Sequence, residues 1–200
     1  MLRETKEFIK LINEKQKRKL AIKLHVGCGT VYLKNWINID NNSDKNIKKL
    51  DVNWDLKNGL PLKNNTVDFI YNEHFIEHLA VHEGVKLMQD FFRVLKQGGV
   101  LRIATPDLDD IVFRYFFFWR QQSWFDEYGF GWIKTNAEAL NISLREWGHQ
   151  YMYNGTELKR RLRESGFTKL KRQKLNKSNF QELKNLETRK ESKLIIEAMK

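Results

Sequence analysis

The sequence predicts an α/β fold, in which a Rossmann-like, doubly wound and mostly parallel sheet has helices on both faces. Strand patterns alternate with helix patterns along the 200 residues, as they do in chains that build parallel sheets. A glycine turn, Gly27–Gly29, follows the first strand pattern, and Asp40 stands where the second strand would end. In doubly wound sheets a glycine turn and an acid at these places surround a nucleoside. The sequence therefore predicts a nucleotide pocket.

The individual elements are predicted from apolar patterns and from signals at their ends. Besides the strand that would end at Asp40, four strands are expected, over residues 19–26, 67–72, 100–105 and 167–175. An apolar stripe with helical spacing predicts a helix over 81–95, which Gly98 would close in a left-handed conformation. After the third of these strands, Asp107 or Asp109 is expected to cap the start of the next helix.

Length and composition predict a single domain over residues 1–200. The chain is long enough for a sizeable core, and neither a low-complexity linker nor an internal repeat divides it. Residues 1–19 are predicted to form a charged amphipathic helix without the apolar core of a signal peptide, and no run approaches the ~20 apolar residues of a membrane span. Cys28, the single cysteine, has no disulfide partner, so we expect a reducing, cytoplasmic setting.

The net charge of +11 is concentrated at the two ends of the chain. Residues 1–25 contain eight Lys and Arg against three acids, and residues 157–200 contain fourteen against six. Such basic ends suit nucleic acid, an anionic membrane surface or a phosphorylated acceptor. Lysine-rich chains also carry charge of this kind as plain solvated surface, and that interpretation is favoured here.

A series of short phrases follows the glycine turn in a fixed order. The phrases are Asp51–Leu56, Gly59–Leu62, Asn65–Tyr71, Glu77–Leu79, Arg93–Ile103 and Pro106–Asp107. This series resembles the class I S-adenosylmethionine-dependent methyltransferases, and within them the type 11 group, whose phrases are GCG, LPF, FD, EHL and RVLKPGG. The resemblance extends from about Leu20 to the end of the chain, where Lys193–Lys200 is similar to the last strand of the family.

The resemblance implies an enzyme whose cofactor is S-adenosylmethionine. It places Gly27, Cys28 and Gly29 at the amino-acid portion of the cofactor, Asp40 at the ribose, Asp55 and Leu56 at the adenine, and Asn72 and Glu73 beneath the methyl group. Four side chains are candidate general bases that the sequence does not rank: His74, His78, Asp107 and His149. The phrase around His149 is similar to an H(R/Q)YMY-like phrase of related enzymes.

The chain departs from the family pattern at the first turn. His25 stands in place of an acid, and Val31 stands in place of a third glycine. Asp40 follows Gly29 by only eleven positions, whereas a Rossmann unit normally places its acid ~20 residues beyond the glycines. The first helix must therefore be very short or replaced by a loop. Such a turn suits a ligand without a pyrophosphate and counts against NAD or FAD.

The phrase from His74 to His78 is also the HxxEH zinc signature of the inverted zincins. On an α-helix its two imidazoles would share one face, with Glu77 between them. Here the phrase directly follows a predicted strand, at the place of the EHL phrase, and no third ligand stands nearby in the sequence. We therefore expect no metal. His78 is interpreted as capping or packing the helix or, like His74, as facing the acceptor.

Residues 113–132 contain eleven aromatic side chains, too many for one side of one helix. Members of the family elaborate this region into a cap over the acceptor, so residues 108–150 are interpreted as a cap insertion. A homodimer interface is the second interpretation. A peripheral contact with a membrane is the third, because Arg114 and Arg120 flank the rings.

The predicted function is S-adenosylmethionine-dependent methylation of a small or carrier-linked metabolite, such as a sugar or lipid intermediate. No folded nucleic acid is expected as a partner, because the basic residues lie at the chain ends and Phe116–Trp119 form a nearly uncharged wall. Two alternatives stay open. One is a binding module that keeps the fold without turnover, and the other is an RNA methyltransferase.

Overall fold

The computed structural model describes residues 2–41, 45–122 and 124–200, and within them a sheet of seven strands. The strands are β1 (Lys23–Val26), β2 (Ile37–Asp40), β3 (Val52–Asn53), β4 (Val67–Glu73), β5 (Leu95–Thr105), β6 (Lys169–Arg172) and β7 (Leu194–Met199). Their order is β3-β2-β1-β4-β5-β7-β6, and β7 runs in the opposite direction to the other six strands. The predicted Rossmann-like, mostly parallel sheet flanked by helices is confirmed.

The described α-helices are α1 (Leu2–Lys17), α2 (Val81–Val94), α3 (Leu108–Phe117), α4 (Trp124–Glu127), α5 (Asn136–Arg145) and α6 (Gly155–Glu164). Short 3₁₀ turns lie at Leu56–Asn58, Ile76–His78, Glu146–Gly148 and Gln181–Leu183. Over this described part of the chain, no helix is both long enough and apolar enough to cross a membrane. Three helices, α3 to α5, follow β5 in succession and build the region that overhangs the carboxyl edge of the sheet.

The end of α2 differs from the sequence prediction. The helix ends at Val94, and β5 begins at the next residue, Leu95. Gly98 does not close the helix: it lies inside β5 with a φ of 78°, next to the place where the register with β4 shifts. The left-handed conformation is as predicted, but it belongs to an irregularity in a strand, where β5 has three residues more than β4 and the backbone must bend in a way that glycine adopts most readily.

One face of the sheet is apolar and carries the main core. Alternate residues of neighbouring strands, such as Leu24 and Ile70, are fully buried there with side chains from α1, α2 and α6. The opposite face carries a second, smaller cluster that contains Trp36, Tyr71 and Leu183. It is covered by the loop after β1 and by the segment around the last 3₁₀ turn.

The stretch between β1 and β2 is a loop without a helix, as its shortness predicts. Asn38 holds this loop, because its Oδ1 accepts from the Leu33 amide at 2.9 Å and its Nδ2 donates to the Leu33 carbonyl at 3.0 Å. His25 Nδ1 lies 3.0 Å from the same Oδ1 and donates to it. The histidine that replaces the family's acid is therefore part of the frame that substitutes for the missing helix.

Candidate active site

The glycine turn after β1 is shaped by backbone hydrogen bonds and by one aromatic ring. The amides of Gly27 and Cys28 donate to the Ile39 carbonyl at 2.9 and 3.2 Å, which joins the turn to β2. Gly27 has a φ of 67°, and a Cβ at this position would overlap the Phe75 ring. Glycine is therefore required here, because both the backbone conformation and the packing exclude a side chain.

Asp40 ties the end of β2 to the same turn. Its Oδ2 accepts from the Gly29 amide at 2.8 Å, and its Oδ1 accepts from the Asn41 amide at 2.7 Å. Asp40 lines a cavity of about 410 Å³ at the carboxyl ends of β1, β2 and β4. A Cβ at Gly29 would meet nothing within 4 Å, so no side chain covers the backbone of the turn at this point. This edge of the sheet is where doubly wound folds bind their ligands.

Most of the predicted cofactor residues line this cavity, namely Gly27, Cys28, Gly29, Asp40, Asp55, Leu56 and Glu73. Asn72 lies outside the lining: it is fully buried, and its Nδ2 donates to the Val26 carbonyl at 2.9 Å, so it joins β4 to β1. Burial raises the pKa of the Cys28 thiol to about 12, and the thiol therefore stays protonated at neutral pH. A protonated thiol suits a small residue in a tight turn better than a nucleophile.

A segment from near the end of the chain, Thr188–Lys193, forms another wall of this cavity, and we call it the strap. The Glu73 carboxylate accepts hydrogen bonds from the Thr188 amide and hydroxyl, the Arg189 amide and the Ser192 hydroxyl, at 2.8 to 3.2 Å. Thr188 and Arg189 thereby reach the cavity. No pattern in the sequence indicates the strap, because all of it except Lys193 lies outside the family phrases and it carries no local motif.

A buried arginine anchors the strap to the sheet. Arg102 of β5 is fully buried, and it donates to Glu187 Oε1 and to Glu197 Oε1, each at 2.6 Å. Burial alone would lower the pKa of Arg102, but the two carboxylates raise it, so the guanidinium stays charged. Because Glu187 directly precedes Thr188, the ion pair and the hydrogen bonds to Glu73 hold adjacent residues of the chain.

A second cavity, of about 570 Å³, adjoins the first one. Its walls come from the turn after β4, the start of α3, the region between residues 121 and 149, and the strap. Four residues line both cavities: His74, His78, Trp147 and Arg189. The boundary between the two cavities is therefore polar, and a group bound on one side would meet a group bound on the other.

Two of the four candidate bases are engaged by neighbouring side chains. Asp107 caps α3, which is one of the two predicted caps, and it pairs with Arg172 at 2.6 Å. His74 has a left-handed φ of 47°, and its ring nitrogens lie 3.3 Å from Glu77 and 3.2 Å from the Ser192 hydroxyl. Both residues line the second cavity, but their contacts already give each of them a structural role.

The other two candidate bases, His78 and His149, meet edge to face with ring centroids 5.0 Å apart. His149 Nδ1 lies 2.9 Å from the Ser143 carbonyl. Since a carbonyl only accepts, Nδ1 carries the proton and Nε2 carries the free lone pair. Burial lowers the pKa of His78, so its ring is neutral at pH 7. Each of these two imidazoles therefore offers a basic nitrogen at the second cavity.

The HxxEH phrase does not form the α-helix that a zincin-type zinc site needs. β4 continues through Glu73, His74 takes a left-handed backbone, and only the 3₁₀ turn Ile76–His78 follows. His74 and His78 are thus not presented from one helical face. Among the described residues, a different group has atoms close enough to share one ion, and it consists of Glu77, His78 and His149.

The aromatic block is divided between a small core and the surface. Trp119 packs against the buried residues Phe125, Ile133 and Ala139. None of the α3 side chains is buried, and three of its rings are more than half exposed: Phe113, Phe116 and Phe117. The side chain of Trp124 lies outside the described part of the structure. The rings that line the second cavity are those of Tyr128 and Trp147, beyond the run of phenylalanines.

These features define a class of protein. A mostly parallel sheet with β7 antiparallel, a glycine turn bonded to the acid that ends β2, and a second cavity beside the first are the features of a class I S-adenosylmethionine-dependent methyltransferase. A family model described as "Methyltransferase domain" matches residues 9–172, so the chain belongs to this methyltransferase family. The predictions of an enzyme and of S-adenosylmethionine as its cofactor are confirmed.

Solved structures similar to the chain agree on the fold. An S-adenosylmethionine-dependent methyltransferase from Archaeoglobus fulgidus aligns with a TM-score of 0.58 and 16% identity, over 96% of this chain and 94% of its own. A possible histamine N-methyltransferase from Thermotoga maritima aligns with a TM-score of 0.54 and 19% identity, over 94% of this chain and 87% of its own. A putative methyltransferase from Haloferax volcanii, solved with its activator Trm112, has a TM-score of 0.51 and 13% identity, over 90% of this chain and 82% of its own. No curated protein matches the sequence.

Proposed function

We propose that the protein transfers the methyl group of S-adenosylmethionine to a small or carrier-linked metabolite, such as a sugar or lipid intermediate, bound in the second cavity. The observation that carries the proposal is the boundary shared by the two cavities, which His74, His78, Trp147 and Arg189 form. A cofactor in the first cavity and an acceptor in the second would meet there.

The residues of the first cavity fit the cofactor. The uncovered backbone at Gly29 and the carboxylate of Asp40 lie together at the carboxyl edge of the sheet. A nucleoside with an amino-acid tail needs both features, because the backbone must approach it closely and its ribose needs a hydrogen-bond acceptor. We assign Gly27–Gly29 to the amino-acid portion, Asp40 to the ribose, and Asp55 with Leu56 to the adenine. Glu73 would lie beneath the methyl group, held in place by the strap.

When bound, S-adenosylmethionine supplies a methyl group that is already activated, so the protein has to position the acceptor and exclude water. For a hydroxyl acceptor the site also needs a group that takes up the proton. His149 Nε2 and the neutral ring of His78 are placed for this, since both face the second cavity. His74 and Asp107 would support the site through their contacts with Glu77 and Arg172.

The cap and the domain boundaries are part of the same proposal. Residues 108–150 would form the acceptor cap within a single domain over 1–200, with the helical segment at 1–19 packed against its core. Tyr128, Ser143 and His149 line the second cavity from the cap, which supports this division. The unpaired thiol of Cys28 supports a cytoplasmic setting.

A folded RNA is the less favoured acceptor. The basic excess at residues 157–200 includes Arg160 and Arg161, and both already pair with Glu157 and Glu164 within α6. Paired arginines of this kind make a solvated surface rather than a phosphate-binding groove. The exposed rings of α3 support an additional contact. A second copy of the chain is the favoured partner for it, and a membrane surface is the less favoured one.

Transfer of a labelled methyl group tests the proposal. The protein is incubated with labelled S-adenosylmethionine and fractionated cell extract, and the fraction that takes up label is identified. Label in a small-molecule or lipid-carrier fraction is the expected result. Label in bulk transfer RNA, with binding that falls steeply with salt, would establish the RNA alternative. Cofactor binding without label in any fraction would favour the binding module without turnover.

A further inference from the structure

A carboxylate and two imidazoles meet at the wall of the second cavity, which His78 and His149 line. The ligand atoms of Glu77, His78 and His149 all lie within 4.8 Å of one another. The backbone fixes this arrangement, because the amides of Gln150 and Tyr151 donate to the Glu77 carbonyl at 2.8 and 3.1 Å. Gln150 Nε2 also donates to the His78 carbonyl at 2.8 Å. Residues 77–78 and 149–151, which are distant in the sequence, are thus held next to each other.

The Glu77 carboxyl group is buried, and one of its two oxygens lacks a hydrogen-bond donor. It is fully buried, and its Oε2 accepts from the Thr105 hydroxyl at 3.0 Å. Its Oε1 accepts no hydrogen bond of normal geometry from the described residues, although it lies 3.3 Å from His74 Nδ1. A carboxylate with an oxygen that lacks a donor, buried in this way, is stabilised by a cation nearby.

Each of the two imidazoles has a ring nitrogen that makes no hydrogen bond to the described residues and could bind a metal. His149 donates its Nδ1 proton to the Ser143 carbonyl at 2.9 Å, which leaves the lone pair of Nε2 free. A hydrogen bond from the second ring nitrogen to a carbonyl is the usual way in which a metal-binding histidine is oriented. His78 makes no side-chain hydrogen bond to the described residues, and its ring contacts the ring of His149. Both rings are only half-buried, so they can turn towards a common centre.

We propose that Glu77, His78 and His149 bind one divalent transition-metal ion of the Zn²⁺ type. Such ions take nitrogen and oxygen ligands at about 2.0 to 2.2 Å, so a rotation of the imidazoles closes the cluster around the ion. Two histidines and one carboxylate leave further coordination positions open. Those positions face the second cavity, which His78 and His149 both line. This site differs from the HxxEH signature because His149 takes the place of His74.

The consequence for catalysis rests on the proposed function. With their lone pairs on an ion, His78 and His149 would no longer take up the proton. The ion would instead coordinate the hydroxyl of the acceptor and lower its pKa, so that the proton passes to solvent and the oxygen attacks the methyl carbon. The new O–C bond forms as the C–S bond breaks, and the sulfur keeps the electron pair. The ion-binding site itself does not depend on this step, since all three ligands come from the chain.

Metal titration of the stripped protein tests the site. The full chain is freed of metal by a chelator and titrated with Zn²⁺ by calorimetry, and with Co²⁺ while its visible absorption is recorded. We expect one ion per chain, and a loss of affinity of at least about tenfold in His149→Gln and in His78→Gln. His82→Gln is the matched control, because His82 is exposed on α2 and lines neither cavity. It should bind as the wild type does.

The variant His74→Gln separates this site from the zincin-type interpretation. If Glu77, His78 and His149 are the ligands, His74→Gln keeps Zn²⁺ affinity within a few-fold of the wild type, whereas a site built on His74 and His78 would lose it. Thermal melting shows which variants are folded. Absence of Zn²⁺ and Co²⁺ binding by the folded wild type would overturn the proposal, as would equal affinity in folded His149→Gln. Neither result depends on S-adenosylmethionine, so the proposed methyl transfer would stand or fall separately.

Discussion

Asp40 Oδ2 accepts a hydrogen bond from the Gly29 amide at 2.8 Å, so the acid that ends β2 is bonded to the turn that follows β1. In most Rossmann units a helix separates these two features. Here a loop of ten residues, 27–36, takes its place, and the hydrogen bond brings the acid directly against the turn. The acceptor atoms of Asp40 are thereby fixed before any cofactor binds, which favours tight binding because little ordering is left to do.

We predict that Asp40→Ala weakens binding of S-adenosylmethionine and of its demethylated product by at least about tenfold. A hydrogen bond to a carboxylate is worth roughly 1.5 to 3 kcal/mol, and the substitution also frees the Gly29 amide. Calorimetry measures the affinity. Asp126→Ala, at an exposed acid of α4, is the control and should bind as the wild type does. Equal affinity of Asp40→Ala and wild type would show that the ribose is held elsewhere.

Gly27→Ala should destabilise the protein and reduce cofactor affinity. An alanine at a φ of 67° costs roughly 1 to 2 kcal/mol, and overlap of its Cβ with the Phe75 ring costs about 1 to 3 kcal/mol more. Denaturant unfolding measures the sum. The double variant Gly27→Ala/Phe75→Ala removes the overlap but not the backbone cost, so its loss should be smaller than the sum of the two single losses. Additive losses would mean that Phe75 does not restrict the turn.

The fold could be predicted because its signals are local. The strand patterns, the glycine turn and the short distance from Gly29 to Asp40 each act over a few residues, and together they indicated the parallel sheet and the missing first helix. Gly98 shows the limit of such signals. A glycine after a helical stripe has the same appearance whether it ends the helix or lies in an irregular strand, and only the pairing of β5 with β4 decides between them.

The site could be predicted only in part, because much of its wall is assembled over long distances. The glycine turn is a family phrase and Asp40 ends a predicted strand, and these residues line the first cavity. Thr188 and Arg189 reach that cavity through hydrogen bonds to Glu73, which no pattern along the chain encodes. The contact between His78 and His149 is of the same kind. Asn72 shows the reverse case, since a residue that the resemblance assigns to the cofactor joins two strands instead.

Stability should fall in mildly acidic solution because of His25. Burial lowers the pKa of His25 below its ordinary value near 6.5, so the folded protein binds this proton less readily than the unfolded chain does. The stabilisation is therefore complete above about pH 6.5 and is lost as the pH falls from there towards the lowered pKa. Thermal melting between neutral and mildly acidic pH, in buffer with a metal chelator, measures the effect. His25→Gln cannot titrate, and its melting temperature should depend less on pH over this range. An unchanged pH dependence would assign the effect to another group.

The last prediction concerns the cap. Trp119→Ala should weaken methylation several-fold while cofactor affinity stays within about twofold of the wild type. The reason is that the half-buried Trp119 packs on the small core of Phe125, Ile133 and Ala139, and its removal loses part of the about 3 to 5 kcal/mol that truncating a fully buried aromatic side chain costs. That core supports the part of the chain that lines the second cavity, whereas the first cavity is built mostly from residues before β5.

Phe116→Ser is the matched comparison, because the Phe116 ring is 67% exposed and lies outside both cavities. Its turnover and cofactor affinity should equal those of the wild type. Limited proteolysis gives a second measurement that needs no acceptor: cleavage within residues 108–150 should be faster in Trp119→Ala and unchanged in Phe116→Ser. Sedimentation separates the other interpretation, since a dimer built on α3 would dissociate in Phe116→Ser and persist in Trp119→Ala. If both variants keep full turnover and the wild-type cleavage pattern, the small core does not hold the acceptor site, and the assignment of residues 108–150 as a cap is wrong.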